Sequence, residues 1–252
     1  MTRTLFELRG SDPRVRFSPY CWRVRMALKH KGLAFETRAL RFVDNDALAF
    51  SGQGDGLARR VPVLREESGR AIVDSYAIIQ HLDRRYPQAP LFDGPGAESS
   101  GRFIKAWSET QLAPALSRIM MADLFDALDP IDQPYFRASR EARLGMTLER
   151  FCDPARGRIM LEMALAPLRL RLRETAFLGG DQPGGSDYLA FGFFMWARVM
   201  MRDELLDPED RVAEWQDRLL GAFGGYAASA ARAYAAPRPP ADVVALVPRS
   251  IS

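Results

Sequence analysis

A chain of 252 residues has room for one large domain or two ordinary ones, each with a core of its own. Hydrophobic residues make up 47% and charged residues 27% of it, which excludes disordered and fibrous proteins and indicates a globular one. The formal net charge is only +3, and the arginines are scattered among acidic residues, so we expect no nucleic-acid partner.

The first 40 residues predict a βαβ unit. Two short runs with strand propensity, residues 4–8 and 34–40, flank a helical stretch. Ser18 suits the N-cap of that helix, and Pro19 suits its first position, where no amide donor is needed. Gly32 suits the left-handed residue that closes the helix.

A glycine-rich segment follows, and then a second, smaller unit. Residues 41–60 show no steady helical period, so we expect a loop with a degraded helix. Two short strands over 61–64 and 71–73 enclose a turn, and residues 75–86 return to helical spacing. The predicted order of elements is therefore βαβ, loop, ββα.

Five prolines and glycines between residues 87 and 96 break any helix and indicate a linker between domains. Beyond them, apolar residues recur at helical spacing over 102–121, 135–151 and 158–174, without strand-like alternation. The predicted parts are an α/β domain over residues 1–88, an all-α domain over 98–236 and a proline-rich tail over 237–252.

We expect a cytoplasmic protein with no membrane partner and no metal. Residues 1–10 carry three charges and lack the apolar stretch of a signal peptide, and the most apolar run, residues 188–199, is short and contains Arg198. Two cysteines, Cys21 and Cys152, are too few for a disulfide framework, and since the chain has only two histidines besides, we expect no metal centre.

The segment Ser-Pro-Tyr-Cys-Trp-Arg-Val-Arg, which begins at Ser18, lies at the predicted start of the first helix. Unpaired amides and the helix dipole favour an anion there, and a hydroxyl at the cap can donate a hydrogen bond to it. A plain helix cap would also explain Ser18. Cys21 shares a helical stripe with Val24 and Leu28, which favours a buried structural thiol.

This motif and the order of elements resemble those of cytosolic glutathione transferases, over nearly the whole chain. The resemblance is to the serine type, most like zeta-class and bacterial β-aryl ether cleaving members. It implies a thioredoxin-like domain that binds glutathione as co-substrate, with Ser18 activating the sulfur and Tyr20 lining the pocket or offering a second hydroxyl. Ser-Pro-Tyr-Cys also resembles the Cys-Pro-Tyr-Cys of glutaredoxins, but serine forms no disulfide, so a reductase working through Cys21 is disfavoured.

Two further motifs support the resemblance. In thioredoxin-like families the proline of Val61-Pro62 is cis, and the backbone of Val61 would pair with glutathione, although an ordinary edge-strand proline is the alternative. A pair such as Asp74-Ser75 binds the γ-glutamyl end in the family, although helix capping alone explains it. Arg60 is the candidate for the glycyl carboxylate, or it is simply solvated.

The resemblance places a co-substrate pocket on the helices after the linker. Its predicted residues are Tyr20, Trp107, Gln111, Met120 and Met121. Four later aromatic side chains are expected to pack the domain instead: Phe191, Phe193, Phe194 and Trp196. Residues 178–188 resemble the family's late capping box, which departs at Gly184, where the family has Ser or Thr, and leaves Asp187 to satisfy amides.

The function that the resemblance implies is attack of the glutathione thiolate on a small hydrophobic electrophile, as in detoxification. The similarity to β-aryl ether cleaving members suggests lignin degradation, in which the thiolate attacks carbon beside a ketone and expels a phenolate. The alternatives are a non-catalytic glutathione- or ligand-binding module on the same fold and a glutathione-dependent isomerase. Family habit suggests a homodimer.

Overall fold

The computed structural model describes residues 2–56 and 59–234, and within them the first half of the chain forms a mixed sheet with helices. Its strands and helices are β1 Thr4–Leu8, α1 Pro19–His30, β2 Glu36–Leu40, β3 Val63–Arg65, β4 Ala71–Val73 and α2 Ser75–Arg85. A 3₁₀ helix, Asn45–Ser51, occupies the segment predicted as a degraded helix. The predicted order of elements is confirmed.

The sheet has the strand order β2-β1-β3-β4, with β1 parallel to β2 and antiparallel to β3. Because successive side chains of a strand point to opposite faces of the sheet, the two faces of this sheet pack against different parts of the protein. Leu5 and its neighbour Leu64 join the main core, whereas Phe6 and Val63 form a smaller cluster with Leu48 of the 3₁₀ helix. Both faces are therefore covered, and β1 lies inside the domain.

Helix α1 begins and ends where its sequence predicts. The Ser18 hydroxyl accepts a hydrogen bond from the Cys21 amide at 3.4 Å, and Pro19 occupies the first helical position. Gly32 has φ +62°, a left-handed conformation that favours glycine. Strand β3 starts at Val63, two residues later than predicted, since Pro62 has no amide to donate to the ladder.

The second half is helical, as predicted, but its helices begin and end elsewhere. They are α3 Ala97–Trp107, α4 Ala113–Asp126, α5 Gln133–Leu144, α6 Leu148–Phe151, α7 Pro154–Arg171, α8 Gly185–Met200 and α9 Arg211–Gly225. A π-helical segment, Ser108–Leu112, divides the stretch predicted as one helix over 102–121. Gly145, at φ +67°, ends α5 within the stretch predicted over 135–151.

Helix α8 packs against α1 with glycine at the contact. A Cβ added to Gly192 would overlap the carbonyl oxygen of Pro19, so the two backbones approach as closely as they do because residue 192 has no side chain. The start of α1, which carries Ser18, is thus held directly against the core helix of the second half.

Asp187 closes the start of α8, as the capping motif predicts. Its carboxylate accepts hydrogen bonds from the amides of Leu178 at 2.8 Å and Gly184 at 3.0 Å and from the indole of Trp215 at 2.8 Å. A Cβ at Gly184 would lie 2.9 Å from the carbonyl oxygen of Leu91. The missing hydroxyl at residue 184 is therefore explained by the close passage of the linker.

The predicted tail, residues 237–252, and the last two residues of the predicted helical domain lie outside the described residues. Within the described part of the chain, no helix combines the length and apolar character that crossing a bilayer requires.

Candidate functional site

A cavity of about 970 Å³ lies between the two halves of the chain, at the start of α1. The residues predicted to hold glutathione all line it: Ser18, Tyr20, Arg60, Val61, Pro62, Asp74 and Ser75. They come from three separate stretches of sequence, and the fold brings them to one wall. Their shared position is a geometric finding, whereas their roles toward glutathione stay predictions.

Ser18 lies at the bottom of this wall and is only 4% exposed. Its Oγ accepts the long hydrogen bond from the Cys21 amide, so its own proton is available for another acceptor. The helix N-terminus adds partial positive charge at the same point. Ser18 can therefore act at once as a helix cap and as a donor to an anion in the cavity.

Tyr20 projects from the first turn of α1 and is 38% exposed. Its ring meets Phe193 edge to face, with centroids 5.8 Å apart, and the guanidinium of Arg23 lies 5.0 Å from its centroid. Burial, and then the nearby carboxylate of Glu109, raise the pKa of Tyr20, so its hydroxyl keeps its proton at neutral pH. Tyr20 is a second possible hydrogen-bond donor in the cavity.

The Val61–Pro62 peptide bond is cis, as the resemblance implies, and both residues line the cavity. The residue before them is fixed by Gln53, which sequence reasoning missed. The Arg60 amide donates to Oε1 of Gln53, and Nε2 of Gln53 donates to the Arg60 carbonyl, both at 2.9 Å. A glutamine in a glycine-rich loop gives no signal of this reciprocal pairing.

Asp74 adopts φ +72°, which is uncommon for a residue with a side chain. Its Oδ1 caps α2 by accepting hydrogen bonds from the amides of Tyr76 and Ala77, both at 2.9 Å. Within the described residues Oδ2 accepts no hydrogen bond, so it can receive an ammonium group. Ser75, 2% exposed, lies beside it at the same helix start.

The outer part of the cavity is lined largely by aromatic side chains, most of them from the helical half. Its aromatic lining residues include Phe42, Tyr135, Phe136, Phe151, Phe193 and Trp196. Phe193 and Trp196, which were expected only to pack the domain, therefore also line the cavity. Of the residues predicted for the co-substrate pocket, Tyr20 and Met121 line it.

The other three residues predicted for that pocket do not line the cavity. Met120 is fully buried in the core and Trp107 is 9% exposed, whereas Gln111 is exposed at the surface. The π-helical segment between α3 and α4 changes the helical register, so a single helix drawn over 102–121 gives these residues the wrong direction. These three residues lie outside the lining of this cavity, and their role toward a co-substrate stays a prediction.

The same π-helical segment supplies a lining residue that the sequence did not indicate. Glu109 accepts hydrogen bonds from Arg23 at 2.7 Å and from Lys105 at 2.7 Å. Burial alone would raise the pKa of Glu109, but these two cations hold it below its ordinary value. Glu109 is therefore a fixed negative charge in the wall beside Tyr20.

Cys21 takes no part in the cavity wall. It is 1% exposed, and burial, reinforced by the charge of Glu7, raises the pKa of its thiol to about 12. A buried, protonated thiol is a poor nucleophile. Within the described residues, no group of three or more His, Cys, Asp or Glu side chains could hold a metal ion.

Comparisons with known proteins agree with this geometry. The family profile "Glutathione S-transferase, N-terminal domain" matches residues 13–90, and "Glutathione S-transferase, C-terminal domain" matches residues 101–226. Glutathione S-transferase omega-1 of Rattus norvegicus is 28% identical over 203 residues, which cover 80% of this chain and 72% of that protein.

A shorter similarity and a solved structure complete the comparison. Maleylacetoacetate isomerase of Pseudomonas aeruginosa is 35% identical over 77 residues, or 28% of this chain and 34% of that protein. A glutathione S-transferase of Ceriporiopsis subvermispora, solved in complex with glutathione, has a TM-score of 0.76 at 24% identity, over 90% of this chain and 98% of that one. This likeness shows a shared fold.

Proposed function

The chain belongs to the glutathione S-transferase family, and on that premise we propose that it joins glutathione to small apolar electrophiles, with Ser18 activating the sulfur. The observation that carries the proposal is the position of Ser18. Its hydroxyl caps α1 at the wall of a 970 Å³ cavity that also holds the cis-proline and the Asp74 cap.

Glutathione would lie along this wall in an extended conformation. The Val61 backbone would pair with the cysteinyl part, as an added strand pairs with a sheet edge. The free Oδ2 of Asp74 and the start of α2 at Ser75 would receive the ammonium and carboxylate of the γ-glutamyl end. Arg60, whose backbone is fixed by Gln53, would pair with the glycyl carboxylate.

The chemistry then needs only a lowered thiol pKa. The Ser18 hydroxyl and the dipole of α1 favour the thiolate over the thiol, so the sulfur loses its proton to water near neutral pH. The thiolate attacks the electrophilic carbon, the C–S bond forms, and the leaving group departs with its bonding electrons. Tyr20, whose protonated hydroxyl lies in the first turn of α1, is the alternative donor.

Turnover of 1-chloro-2,4-dinitrobenzene with glutathione tests the proposal in Ser18→Ala and Tyr20→Phe. A hydrogen bond to a charged group contributes about 1.5–3 kcal/mol, so loss of the Ser18 hydroxyl should lower kcat/KM about tenfold or more. Thr147→Ala is the matched control, since Thr147 caps the short helix α6 away from the cavity. Unchanged turnover in Ser18→Ala, with a loss in Tyr20→Phe, would give the role to Tyr20.

Within this reaction class, we propose β-aryl ether ketones derived from lignin as one electrophile type. The aromatic side chains of the outer cavity, among them Tyr135 and Phe136, suit the aryl groups of such compounds. The thiolate would attack the carbon beside the ketone, the C–O bond would break, and a phenolate would leave. Chromatographic detection of the free phenol and the glutathione thioether tests this substrate, and their absence would exclude it.

Isomerisation is a second candidate, because residues of this chain are 35% identical over a short stretch to the maleylacetoacetate isomerase of Pseudomonas aeruginosa. An isomerase regenerates glutathione, whereas a transferase consumes it. Mass spectrometry of the glutathione pool after exhaustive reaction separates the two. Calorimetric binding of glutathione without any product would instead favour a non-catalytic module.

We further propose that the protein works as a cytoplasmic homodimer, as the family resemblance suggests. Light scattering on the purified chain, whose mass is 28.3 kDa, should then give twice that value. A value equal to one chain would exclude a stable dimer.

A further inference from the structure

The cavity carries more positive charge than glutathione can use. Two carboxylates, Asp74 and Glu109, face six cations in its lining. The six cations are Arg41, Arg59, Arg60, Lys105, Arg140 and Arg143. Three of them are already paired: Arg41 with Asp44 at 2.9 Å, Arg59 with Asp46 at 3.0 Å and Lys105 with Glu109 at 2.7 Å. Arg60, Arg140 and Arg143 have no carboxylate within 4.0 Å among the described residues.

Arg140, on α5, is the unpaired cation whose guanidinium makes specific contacts with the cavity wall. Its guanidinium lies 4.6 Å from the ring centroid of Phe136 and 5.3 Å from that of Phe42. Its one hydrogen bond within the described residues goes from Nη1 to the Ser139 hydroxyl at 2.9 Å. The guanidinium packs against these two rings, and its other N–H groups make no hydrogen bond within the described residues.

Arg143 lies three residues later on the same helix, and so on the same face of α5. Burial and, after it, the charges of Arg143 and Arg60 together lower the pKa of Arg140 to about 10. These three cations therefore surround one space, in which a bound anion would relieve their repulsion.

The same space adjoins the expected position of the sulfur. Burial and Glu109 raise the pKa of the Tyr20 hydroxyl, and among the charges that oppose them is Arg143. Arg143 and Tyr20 both line the cavity. A group held between the arginines of α5 would lie beside a group held at Ser18, two residues before Tyr20.

Glutathione brings two carboxylates and one ammonium group. In the proposed binding mode, the start of α2 receives one carboxylate, and Arg60 receives the other. Arg140 and Arg143 are then left over, on the side of the cavity formed by the helical half. Their charge has no counterpart in glutathione, so it points to the second substrate.

We propose that Arg140 and Arg143 form an anion-binding subsite, which selects electrophiles that carry a carboxylate on an aromatic body. The inference rests on the proposed function, because the electrophile is its second substrate. Phe42 and Phe136 contact the flat apolar body, and the guanidinium groups pair with the carboxylate in the manner of arginine forks.

A matched pair of electrophiles tests the subsite: 4-chloro-3,5-dinitrobenzoate and its methyl ester. In both, the glutathione sulfur attacks the ring carbon that bears chlorine, the C–S bond forms, the C–Cl bond breaks, and chloride leaves with the bonding pair. The acid and the ester differ only in the charge of the remote group. The ratio of their kcat/KM values, each corrected for the uncatalysed rate, isolates recognition of that charge.

We expect Arg140→Gln to lower the acid-to-ester ratio about tenfold, with Arg140→Lys retaining part of the preference. The control is Arg137→Gln, which removes a charge from the same helix at a residue that pairs with Glu141 and Glu149 outside the cavity. An unchanged ratio in both Arg140→Gln and Arg143→Gln would overturn the proposal. So would a raised KM for glutathione with an unchanged ratio, since the arginines would then hold the glycyl carboxylate.

Binding of an unreactive probe separates the subsite from turnover. Calorimetric titration with 3,5-dinitrobenzoate, which lacks the leaving group, should show tighter binding than its methyl ester, and Arg140→Gln should abolish the difference. If the wild-type chain turns over neither electrophile but shows this preference, the proposed function fails and the subsite stands. Equal binding of acid and ester by the wild-type chain would overturn the subsite alone.

Discussion

Arg23 of α1 donates a hydrogen bond to Glu109 of the π-helical segment at 2.7 Å, and this ion pair joins the two halves of the chain at the cavity wall. Arg23 is fully buried, and it also donates to the Leu189 carbonyl at 2.9 Å and to the Ser108 hydroxyl at 3.0 Å. Every partner lies in the helical half. Arg23, three residues after Tyr20, therefore ties the start of α1 to the helical half at the cavity wall.

Replacing Arg23 with Gln should lower the free energy of unfolding by about 3 kcal/mol or more, because a buried ion pair loses one partner and two further acceptors lose their donor. Urea denaturation measures the loss. The matched control is Arg102→Gln, whose pair with Glu98 is largely exposed and should contribute less than about 1 kcal/mol. Equal losses of unfolding free energy in the two variants would contradict a stabilising role of Arg23 larger than that of an exposed ion pair.

Gly192→Ala should destabilise the protein by about 1–3 kcal/mol, since the added methyl group meets the Pro19 carbonyl and pushes α8 away from α1. Gly221→Ala is the control on another helix: nothing lies within 4 Å of its added Cβ, and alanine should stabilise a helix there by about 0.5–1 kcal/mol. Thermal unfolding of both variants gives the sign. Unchanged stability of Gly192→Ala would show that α1 and α8 can move apart without loss of folding free energy.

The Cys21 thiol should resist labelling in the native protein. Burial and the charge of Glu7 raise its pKa to about 12, above the ordinary value of 9.0. The native thiol thus keeps a proton that the unfolded chain releases, and its contribution to stability should fall as the pH rises from about 9 towards 12. Reaction with a chromogenic disulfide at pH 8 measures how fast each thiol is labelled. Half-buried Cys152 is the internal reference, and urea-unfolded protein gives the number of thiols that react when both are exposed. Fast native labelling of Cys21 would be the contrary result.

Asp74→Asn should weaken glutathione binding and leave stability nearly unchanged. The asparagine Oδ1 can still cap the amides of Tyr76 and Ala77, and asparagine tolerates positive φ better than most residues. Only the charge that would receive the glutathione ammonium is lost. The KM for glutathione should rise about tenfold, and the urea concentration at the midpoint of unfolding should not change. A shifted midpoint with an unchanged KM would mean that Asp74 is a helix cap and nothing more.

The local signals in the sequence were sufficient for the first half of the fold. Ser18, Pro19 and Gly32 each have a backbone or capping preference that acts within a few residues, so the bounds of α1 followed from them. The residues predicted to bind glutathione lie within or beside such local motifs. The fold brings them to one cavity, and their roles toward glutathione stay predictions.

The side of the cavity formed by the helical half depends on contacts between distant parts of the chain, which no local pattern contains. The segment Ser108–Leu112 has no glycine or proline to mark a change of helical register, and its partner Arg23 lies in a different part of the chain. Gln53 likewise pairs with the backbone of Arg60, and Arg140 packs against Phe42 of the first half as well as against its own helix, and no local pattern relates these residues. Trp107, Gln111 and Met120 consequently lie outside the lining of the cavity, and the sequence did not indicate the arginines of α5 as lining residues.

The most direct test of the central claim is the pKa of the glutathione thiol in its complex with the protein, read from thiolate absorbance as the pH is raised. In the wild-type chain the titration should fall near neutrality, well below that of free glutathione, and in Ser18→Ala it should shift upward by about one pKa unit or more, as expected for a lost hydrogen bond to the thiolate. Identical titrations in the two proteins would contradict activation of the sulfur by Ser18.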